Sequence, residues 1–310
     1  LVRHAAWTAG RRFPDAAAVP METHLKSPRL RDSSFLADVM QAAAHPGLHL
    51  WWLGQSGFLL QYRGQHLLLD PYLSDSLTRK YAATDKPHVR MTARVVDPGS
   101  LPPLAAVTCS HIHTDHLDPE TLQPLAHQQP ELRLICPESI RAAARERSTL
   151  PESRILGLDA APGKDTVSVG AFTLRAVPAA HERLDLDAAG RHLYLGLVIE
   201  AGPFLIYHSG DTVLYDGMAD RLRPFEVDVA LLPINGRLPE RRVSGNLWGR
   251  EAAWLAREIG AGLVIPCHYD MFAFNTATPE EFVAECGRLG QPCRVLEQGE
   301  RWTLDVSRRG

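Results

Sequence analysis

Cysteine is scarce in this 310-residue sequence, and its five copies include no Cys-x-x-Cys pair. Their number is odd, so at least one cannot join an intramolecular disulfide. Four of them lie in or beside apolar runs or helix patterns, where a reduced thiol behaves as a small apolar side chain. We therefore expect free thiols and a reducing, cytoplasmic environment for the cysteines at positions 109, 136, 267, 286 and 293.

Long hydrophobic runs and a strong excess of one charge are also missing. No apolar run approaches the ~18 residues of a transmembrane helix, so a membrane protein is not expected. The net charge of −3 does not indicate a nucleic-acid or membrane-surface partner. A hydrophobic content of 45% is enough for a large core, and the length suits one α/β domain over 1–310.

The beginning of the chain is weakly patterned. Residues 1–30 are interpreted as an extended arm or an oligomer contact, which makes a homo-oligomer one expectation. A serine at position 33 or 34 is predicted to cap a short helix through residues 35–40. Residues 1–47 are therefore expected to lead into the domain.

The most informative stretch is residues 110–118, Ser-His-Ile-His-Thr-Asp-His-Leu-Asp. Three imidazoles and one carboxylate fall within six residues, directly after the apolar run 104–109, which predicts a buried strand. Pro119 then opens a helical pattern. We expect this motif on a strand-to-helix loop at the carboxyl end of a strand, where open α/β sheets place their ligands.

The spacing within the motif predicts metal binding. His111 and His113 are two residues apart, so in an extended segment their rings project to one side and can chelate one ion. Asp115 and His116 follow as the chain turns and reach a second position nearby. Two metals roughly 3.5–4 Å apart can activate water and polarise the bond that it attacks. Histidines near a helix start also serve as caps or surface polar groups, but that interpretation accounts poorly for the whole pattern.

Four more polar residues stand at the ends of predicted strands, namely Asp70, His181, Asp211 and His268. The two oxygens of Asp211 can bridge two cations. A lone histidine such as His181 is more often a polar surface residue, and Asp70 can equally cap a turn. The residues alone leave both of these alternatives open.

Alternating strand-like and helical runs predict a layered α/β fold. Three short runs predict a meander, and a βαβ alternation follows the central motif. The expected helices are 119–128, 138–147, 248–259 and 279–289. The expected strands are 48–53, 58–62, 66–69, 104–109, 132–136, 165–169, 171–177, 192–200, 203–207, 227–232, 262–267, 293–297 and 301–305.

Two segments are candidates for contact with a substrate. Residues 71–103 carry several cations and little periodicity, which is typical of a functional loop or helical insertion near the site, or of a solvated insertion. Three arginines of a Gly/Pro-bearing loop can clamp a phosphate or form a solvated turn. With the tyrosine beside His268, the candidates are Arg237, Arg241, Arg242 and Tyr269.

Residues 111–116 resemble the His-x-His-x-Asp-His signature of the metallo-β-lactamase superfamily. The resemblance implies the αβ/βα sandwich, an α/β fold in which two mixed sheets face each other with helices outside and metals at one edge. It implies two ions, with His111, His113 and His181 around one and Asp115, His116 and His268 around the other. It further implies that Asp211 bridges the ions and that Asp70 orients a metal-binding histidine.

A closer resemblance, to the L-ascorbate-6-phosphate lactonase group, rests on residues 50–54, 207–211, 227–231 and 264–270. It implies a hydrolase in which a metal-bound hydroxide attacks a small sugar-derived lactone, phosphorylated or not. Asp115 and Asp211 are the catalytic candidates, and Asp115 is expected to orient the hydroxide or relay a proton. The expected partner is a small molecule, and neither nucleic acid nor a membrane.

Two alternatives to a lactonase stay open. The same metals can hydrolyse a phosphodiester, although the net charge argues against long nucleic acid as the substrate. A non-catalytic binding protein of the same fold would be expected to have lost ligands, and all seven are present. Histidine and carboxylate ligands suit Zn or Mn, and also Fe, so the sequence does not identify the metal.

Overall fold

The computed structural model describes residues 25–305, which form two facing β-sheets with helices packed against them. The strands are β1 (Leu48–Gly54), β2 (Gly57–Tyr62), β3 (Gln65–Leu69), β4 (Ala106–Thr108), β5 (Leu134–Pro137), β6 (Ile155–Leu158), β7 (Thr166–Val169), β8 (Phe172–Pro178), β9 (Leu195–Ala201), β10 (Phe204–His208), β11 (Val229–Pro233), β12 (Leu263–Cys267) and β13 (Arg301–Leu304). The α-helices are α1 (Asp32–Ala42), α2 (Ser76–Tyr81), α3 (Pro119–Gln128), α4 (Arg141–Ser148), α5 (Met218–Leu222), α6 (Gly249–Glu258) and α7 (Glu280–Leu289).

Both sheets are mixed, as expected from the sequence. The first has the order β13-β1-β2-β3-β4-β5-β6, antiparallel from β13 to β3 and parallel from β3 to β6. The second has the order β12-β11-β10-β9-β8-β7, antiparallel from β7 to β10 and parallel from β10 to β12. The predicted fold class, two mixed sheets with helices outside, is confirmed.

Strand β1 shows how the alternation of side chains builds two cores. Leu50 and Trp52 belong to the core that the two sheets share, whereas Trp51 and Leu53 point to the opposite face and pack under the helices. Every residue of β1 is buried because both faces of its sheet are covered. Between the sheets, the rings of Tyr62 and Phe204 meet edge to face at 5.9 Å.

Helices α1, α3 and α4 contribute buried side chains to the core outside the first sheet, and α6 and α7 contribute to the core that includes the second sheet. Phe35 and Val39 of α1 fill the former, and Leu255 of α6 and Phe282 of α7 fill the latter. Within residues 25–305, no helix combines the length and the apolar character that crossing a lipid bilayer requires.

Several predicted elements need correction. The N-cap residue of α1 is Arg31 and not the predicted serine at 33 or 34. Ser34 lies inside the first turn, where its hydroxyl donates to the Arg31 carbonyl at 2.7 Å. The prediction of a strand at 293–297 is wrong, because within this range only Cys293 forms a β-bridge, which pairs its backbone with that of Val264. Strand β6 was not predicted from the sequence. Residues 71–103 contain helix α2, and the predicted arm lies largely in residues 1–24, outside the described residues.

We predict that Trp52 is a major contributor to stability. Its side chain is 1% exposed, its indole nitrogen donates to the Gln55 carbonyl at 2.9 Å, and its ring stacks on Tyr269 at 4.7 Å. Trp52→Ala should therefore lower the free energy of unfolding in urea by about 3–5 kcal/mol. Trp254→Ala is the matched control, because Trp254 is 41% exposed and its loss should change stability by less than about 0.5 kcal/mol. Equal losses in both variants would contradict this account of the core.

Candidate metal centre

The polar residues singled out in the sequence meet where strands of both sheets end. β4 leads into His111, and β8, β10 and β12 end shortly before His181, Asp211 and His268. Because these strands run towards the same edge of the sandwich, the loops that follow them converge. The structure brings all seven predicted metal-site residues into two groups, each with ligand atoms within 4.8 Å of one another: His111, His113 and His181, and Asp115, His116, Asp211 and His268.

Three imidazoles form the first group. The ring of His111 lies 4.6 Å from that of His113 and 5.2 Å from that of His181, and the rings of His113 and His181 are 5.0 Å apart. Nδ1 of His181 donates to the Gly245 carbonyl at 2.9 Å, which leaves its Nε2 with the lone pair. His181 is thus an oriented, buried member of the group and not a surface residue.

Asp211 joins the second group to the first. Its Oδ1 lies 3.3 Å from Nε2 of His116, and its Oδ2 lies 3.2 Å from Nε2 of His268. The same Oδ2 is 3.7 Å from Nε2 of His181. Asp115 completes the second group, with its Oδ2 3.5 Å from Nε2 of His268. One carboxylate therefore faces histidines of both groups.

Asp70 lies beside the second group and orients one of its histidines, His116. Its Oδ2 accepts a hydrogen bond of 2.7 Å from Nδ1 of His116. The backbone nitrogen of Ser110 and the hydroxyl of Thr108 donate to the same carboxylate at 3.1 Å and 2.9 Å. Because Nδ1 of His116 carries this proton, Nε2 is the nitrogen that remains for a ligand. The structure thus places Asp70 beside a histidine of the centre, as the resemblance implied.

The surroundings of two imidazole nitrogens show whether the two groups could hold metal ions. Nε2 of His111 is buried and has no hydrogen-bond partner within residues 25–305, and Nε2 of His116 is buried with the carboxylate of Asp211 facing it, at 3.3 Å. Leaving a buried polar atom unpaired costs about 1–3 kcal/mol, so native proteins rarely do so without a reason. Imidazole nitrogens and carboxylate oxygens are common ligands of divalent transition metals. The donor set therefore fits metal ions.

The pKa values follow from burial and from the facing charges. Burial lowers the pKa of His111 well below its usual value, so this ring is neutral near pH 7. Burial acts the same way on His116 and His268, but the neighbouring carboxylates outweigh it and raise their pKa, to about 9 for His268. Burial would raise the pKa of Asp211, but these two imidazoles hold it well below its usual value. The protons on His116 and His268 supply the positive charge that a metal ion would supply. A metal ion must displace these protons when it binds, so the affinity for metal falls as the pH falls.

The turn between β1 and β2 reaches into the centre, which the sequence interpretation missed. Gln55 is fully buried, has a φ of 49°, and donates from Nε2 to Oδ2 of Asp115 at 2.9 Å. The hydroxyl of Ser56 donates to Oδ1 of Asp211 at 3.3 Å. A Gly-x-x-Gly turn between two apolar strands was the only signal in the sequence, and it indicated a hairpin without indicating where its tip would lie.

A cleft of about 480 Å³ opens above the two groups. Its walls come largely from residues 71–103 and from the loop after β12, so the predicted insertion lies at the site. Residues of the wall that the sequence did not single out include Tyr81, His88, Arg147, Phe272 and Phe274. A cavity of this size suits a small molecule.

Of the four residues proposed for substrate contact, only Arg242 lines the cleft. Arg237 is bound to the carboxylate of Glu251 through two hydrogen bonds of 2.6 Å and 2.7 Å. Arg241 donates to the Thr276 carbonyl at 2.8 Å and so ties two loops together. These two arginines do not reach the cleft because their guanidinium groups already satisfy local acceptors.

Tyr269 also requires correction. Its side chain is 2% exposed and stacks on Trp52 in the core, and its hydroxyl donates to the Leu296 carbonyl at 3.3 Å. His268, with a φ of 60°, points into the metal centre, whereas the next side chain turns away from it. Tyr269 therefore supports the loop and is not part of the cleft wall.

The sequence of residues 65–269 matches the family described as "Beta-lactamase superfamily domain". The chain belongs to the metallo-β-lactamase superfamily. It is 31% identical over 266 residues to a UPF0173 metal-dependent hydrolase of Opitutus terrae, which covers 84% of this chain and 100% of that protein. It is 28% identical to the UPF0173 metal-dependent hydrolase MK1542 of Methanopyrus kandleri, over 82% of this chain and 99% of that protein. The superfamily resemblance read from residues 111–116 is confirmed, and this member is a homologue of metal-dependent hydrolases.

A solved structure of the same fold is the isothiocyanate hydrolase from Delia radicum gut bacteria. The TM-score is 0.66 at 20% sequence identity, covering 83% of this chain and 99% of the other. At this identity the similarity shows the fold of this superfamily member and does not transfer the reaction. The assignment to the L-ascorbate-6-phosphate lactonase group stays a prediction.

We predict that Asp70→Asn weakens metal binding without unfolding the protein. The variant keeps the shape of the side chain but removes the charge that holds the Nδ1 proton of His116, and such a loss typically costs roughly 10–100-fold in affinity. Asp159→Asn is the matched control, since Asp159 is buried and pairs with Nδ1 of His192 at 2.7 Å outside the centre. Titration with Zn²⁺ or Mn²⁺ by calorimetry measures both. Comparable affinities in the two variants would refute the role of Asp70.

A second prediction concerns Gln55. Gln55→Met removes the donor to Asp115 while keeping the length of the side chain, so the affinity for metal should fall about tenfold, the lower end of such effects. Gln61→Met is the control, because Gln61 is 1% exposed and donates to the Val39 carbonyl away from the centre. The same calorimetric titration separates the two. An unchanged affinity in Gln55→Met would show that the amide does not position Asp115.

Proposed function

We propose that the chain is a lactonase-type hydrolase that works with two divalent ions held side by side. The observation that carries this proposal is the position of Asp211, whose carboxylate faces the Nε2 atoms of His116, His268 and His181. A carboxylate with two oxygens can bridge two cations, which a single nitrogen cannot. In this proposal His111, His113 and His181 hold one ion, Asp115, His116 and His268 hold the other, and Asp211 contacts both.

When bound, such ions lower the pKa of water to about 7 and stabilise negative charge on the oxygen of the attacked bond. Zn, Mn and Fe all suit the histidine and carboxylate donors. The residues of the chain supply the geometry. Nδ1 of His116 is held by Asp70, and Nδ1 of His181 is held by a carbonyl, so neither ring can rotate away from the centre.

Asp115 is the proposed proton carrier. It lines the cleft, its side chain remains 18% exposed, and Gln55 holds its Oδ2. Burial would raise the pKa of Asp115, but the charges and hydrogen bonds of His116 and His268 lower it below its usual value. An ionised carboxylate at this place can orient the attacking water, accept its proton and pass it to the leaving oxygen.

The size of the cleft supports a small lactone as the substrate, and the sugar-derived, phosphorylated type is the specific form that we propose. Phosphodiester hydrolysis is the second candidate. It is favoured by the cations Lys80, Arg147 and Arg242 in the cleft wall, which would attract a phosphate. A small molecule is the proposed partner in both cases.

The proposal predicts that Asp211→Asn loses both turnover and metal. The substitution replaces a charged oxygen by an amide nitrogen, so two cations would face each other with less negative charge between them. We expect at least one ion fewer per chain by elemental analysis of protein purified without chelators, and no measurable hydrolysis. Asp159→Asn should keep the metal content and activity of the unmodified protein. Retention of two ions and full activity in Asp211→Asn would exclude Asp211 as the bridge.

A substrate panel tests the reaction itself. Protein reconstituted with Zn²⁺, Mn²⁺ or Fe²⁺ is assayed on sugar-derived lactones, on the same lactones bearing a phosphate, and on bis(p-nitrophenyl) phosphate. The proposal expects the highest kcat/KM on a lactone, with the phosphorylated form preferred. Hydrolysis of the phosphodiester alone would select the second candidate. No hydrolysis of any member by protein that retains its metal would refute both.

A further inference from the structure

Three aromatic rings form a wall on one side of the cleft, and two of them are stacked on each other. The ring of Tyr81 lies 4.2 Å from that of His88, with an angle of 18° between their planes, and Phe274 lies 4.4 Å from His88 on another side. Tyr81, His88 and Phe274 are only partly buried, and all three line the cleft. Phe272, 5.2 Å from His88, is 2% exposed and anchors the wall in a small core with Tyr72 and Leu77.

The wall is held in place by backbone pairing between its two segments. The nitrogen of Met91 donates to the Met271 carbonyl at 2.8 Å, and that of Ala273 donates to the Val89 carbonyl at 3.0 Å. Arg90 between them is 7% exposed and donates to Asp75 at 2.8 Å and to the Ser74 carbonyl at 2.9 Å. The rings are therefore presented by a fixed framework that joins residues 71–103 to the loop after β12.

The charges around the cleft are of one sign once the metal centre is set aside. Within residues 25–305, its remaining charged lining residues are cations, Lys80, Arg147 and Arg242, and of these Arg242 also pairs with Asp85 outside the lining. Nζ of Lys80 lies over the Tyr81 ring, 5.1 Å from its centre, so a positive charge sits against the aromatic wall. The protein as a whole carries a net charge of −3, so this cationic lining runs against its overall balance.

We propose that the cleft recognises an organic anion with a flat, aromatic group. The flat group packs against the surface that the wall of Tyr81, His88 and Phe274 presents to the cleft, and the anionic group lies beside Lys80. This specificity rests on the proposed function, because the metal centre at the base of the cleft defines which end of the substrate reacts. It goes beyond that function by requiring an aromatic group in addition to a negative charge, so among lactones it favours those that carry an aryl substituent over a simple sugar phosphate lactone.

Other contacts of the wall agree with this assignment. Nδ1 of His88 lies 3.1 Å from the Lys86 carbonyl and donates to it, so the ring cannot turn freely and Nε2 keeps its lone pair. Burial lowers the pKa of His88, so the ring is neutral near pH 7 and adds uncharged surface to the cleft wall. On the far side of the cleft, Ile112 is 39% exposed and Val243 is 39% exposed, and both add apolar surface for the same group.

Three non-hydrolysable probes separate the two requirements. 2-Naphthalenesulfonate carries both the aromatic group and the negative charge, cyclohexanesulfonate carries only the charge, and naphthalene-2-methanol carries only the aromatic group. Their binding to the metal-loaded protein is measured by calorimetry. Phe274→Leu removes an aromatic face, and Lys80→Gln removes the charge. The matched controls are Phe225→Leu, a half-buried phenylalanine with Arg175 over its ring at 5.9 Å, and Lys164→Gln, both outside the cleft.

2-Naphthalenesulfonate should bind more tightly than either of the other probes. Phe274→Leu should weaken the two naphthalene probes roughly 2- to 12-fold and leave cyclohexanesulfonate within twofold. Lys80→Gln should weaken the two sulfonates roughly 2- to 5-fold and leave the alcohol unchanged. The control variants should bind all three probes as the unmodified protein does.

Two results would overturn the inference. Equal binding of 2-naphthalenesulfonate to the unmodified protein and to Phe274→Leu would show that the wall is only a packing element. Loss of all three probes to the same extent in Lys80→Gln would show a general disturbance of the cleft and no charge recognition. The assay requires no turnover, so an inactive substrate panel combined with the expected binding pattern would refute the proposed hydrolysis and leave the ligand class standing.

Discussion

The carboxylate of Asp211, buried among imidazoles, is the interaction on which the rest of the site depends. A buried charge is costly unless opposite charges and hydrogen bonds surround it. Here the Nε2 atoms of His116 and His268 lie within 3.3 Å of its oxygens, and His116 is oriented by Asp70. The turn that carries the carboxylate passes so close to the loop after β4 that a Cβ on Gly210 would lie 2.6 Å from that of Ser110, and Gly210 has a φ of 60°. Glycine is required there for both reasons.

The sandwich supplies the convergence that this carboxylate needs. Strands from both sheets end at the same edge, so loops that are distant in the chain bring their side chains to one place. The core between the sheets fixes the spacing of those strands, and the hairpin of β1 and β2 lies in the same core through Trp52. The tip of that hairpin carries Gln55, which touches Asp115. Stability and metal geometry are therefore coupled through the same elements.

The walls of the cleft have a different origin from its base. The base consists of strand-end residues, including those of the superfamily signature, whereas the walls come mostly from residues 71–103, from the loop after β12 and from residues 242–244. Loops on a rigid scaffold are where related proteins acquire different specificities. The family thus accounts for the metal-dependent chemistry, whereas the ligand class that we propose rests on the aromatic rings and neighbouring cations of the cleft wall.

The sequence by itself was enough to predict the layered α/β class and a metal site at His111, His113, Asp115 and His116, because strand periodicity and the spacing of these residues are local properties. It could not determine which neighbouring side chains face the cleft. Arg237 and Arg242 look alike in the sequence, but Arg237 is held by Glu251 of helix α6 away from the cleft, whereas Arg242 pairs with Asp85 and lines the cleft. The pairing of Tyr81 with Phe274 through His88, and the entry of Gln55 into the centre, likewise arise from packing between segments far apart in the chain. Only the tertiary structure could decide them, since no local pattern records which distant surfaces will meet.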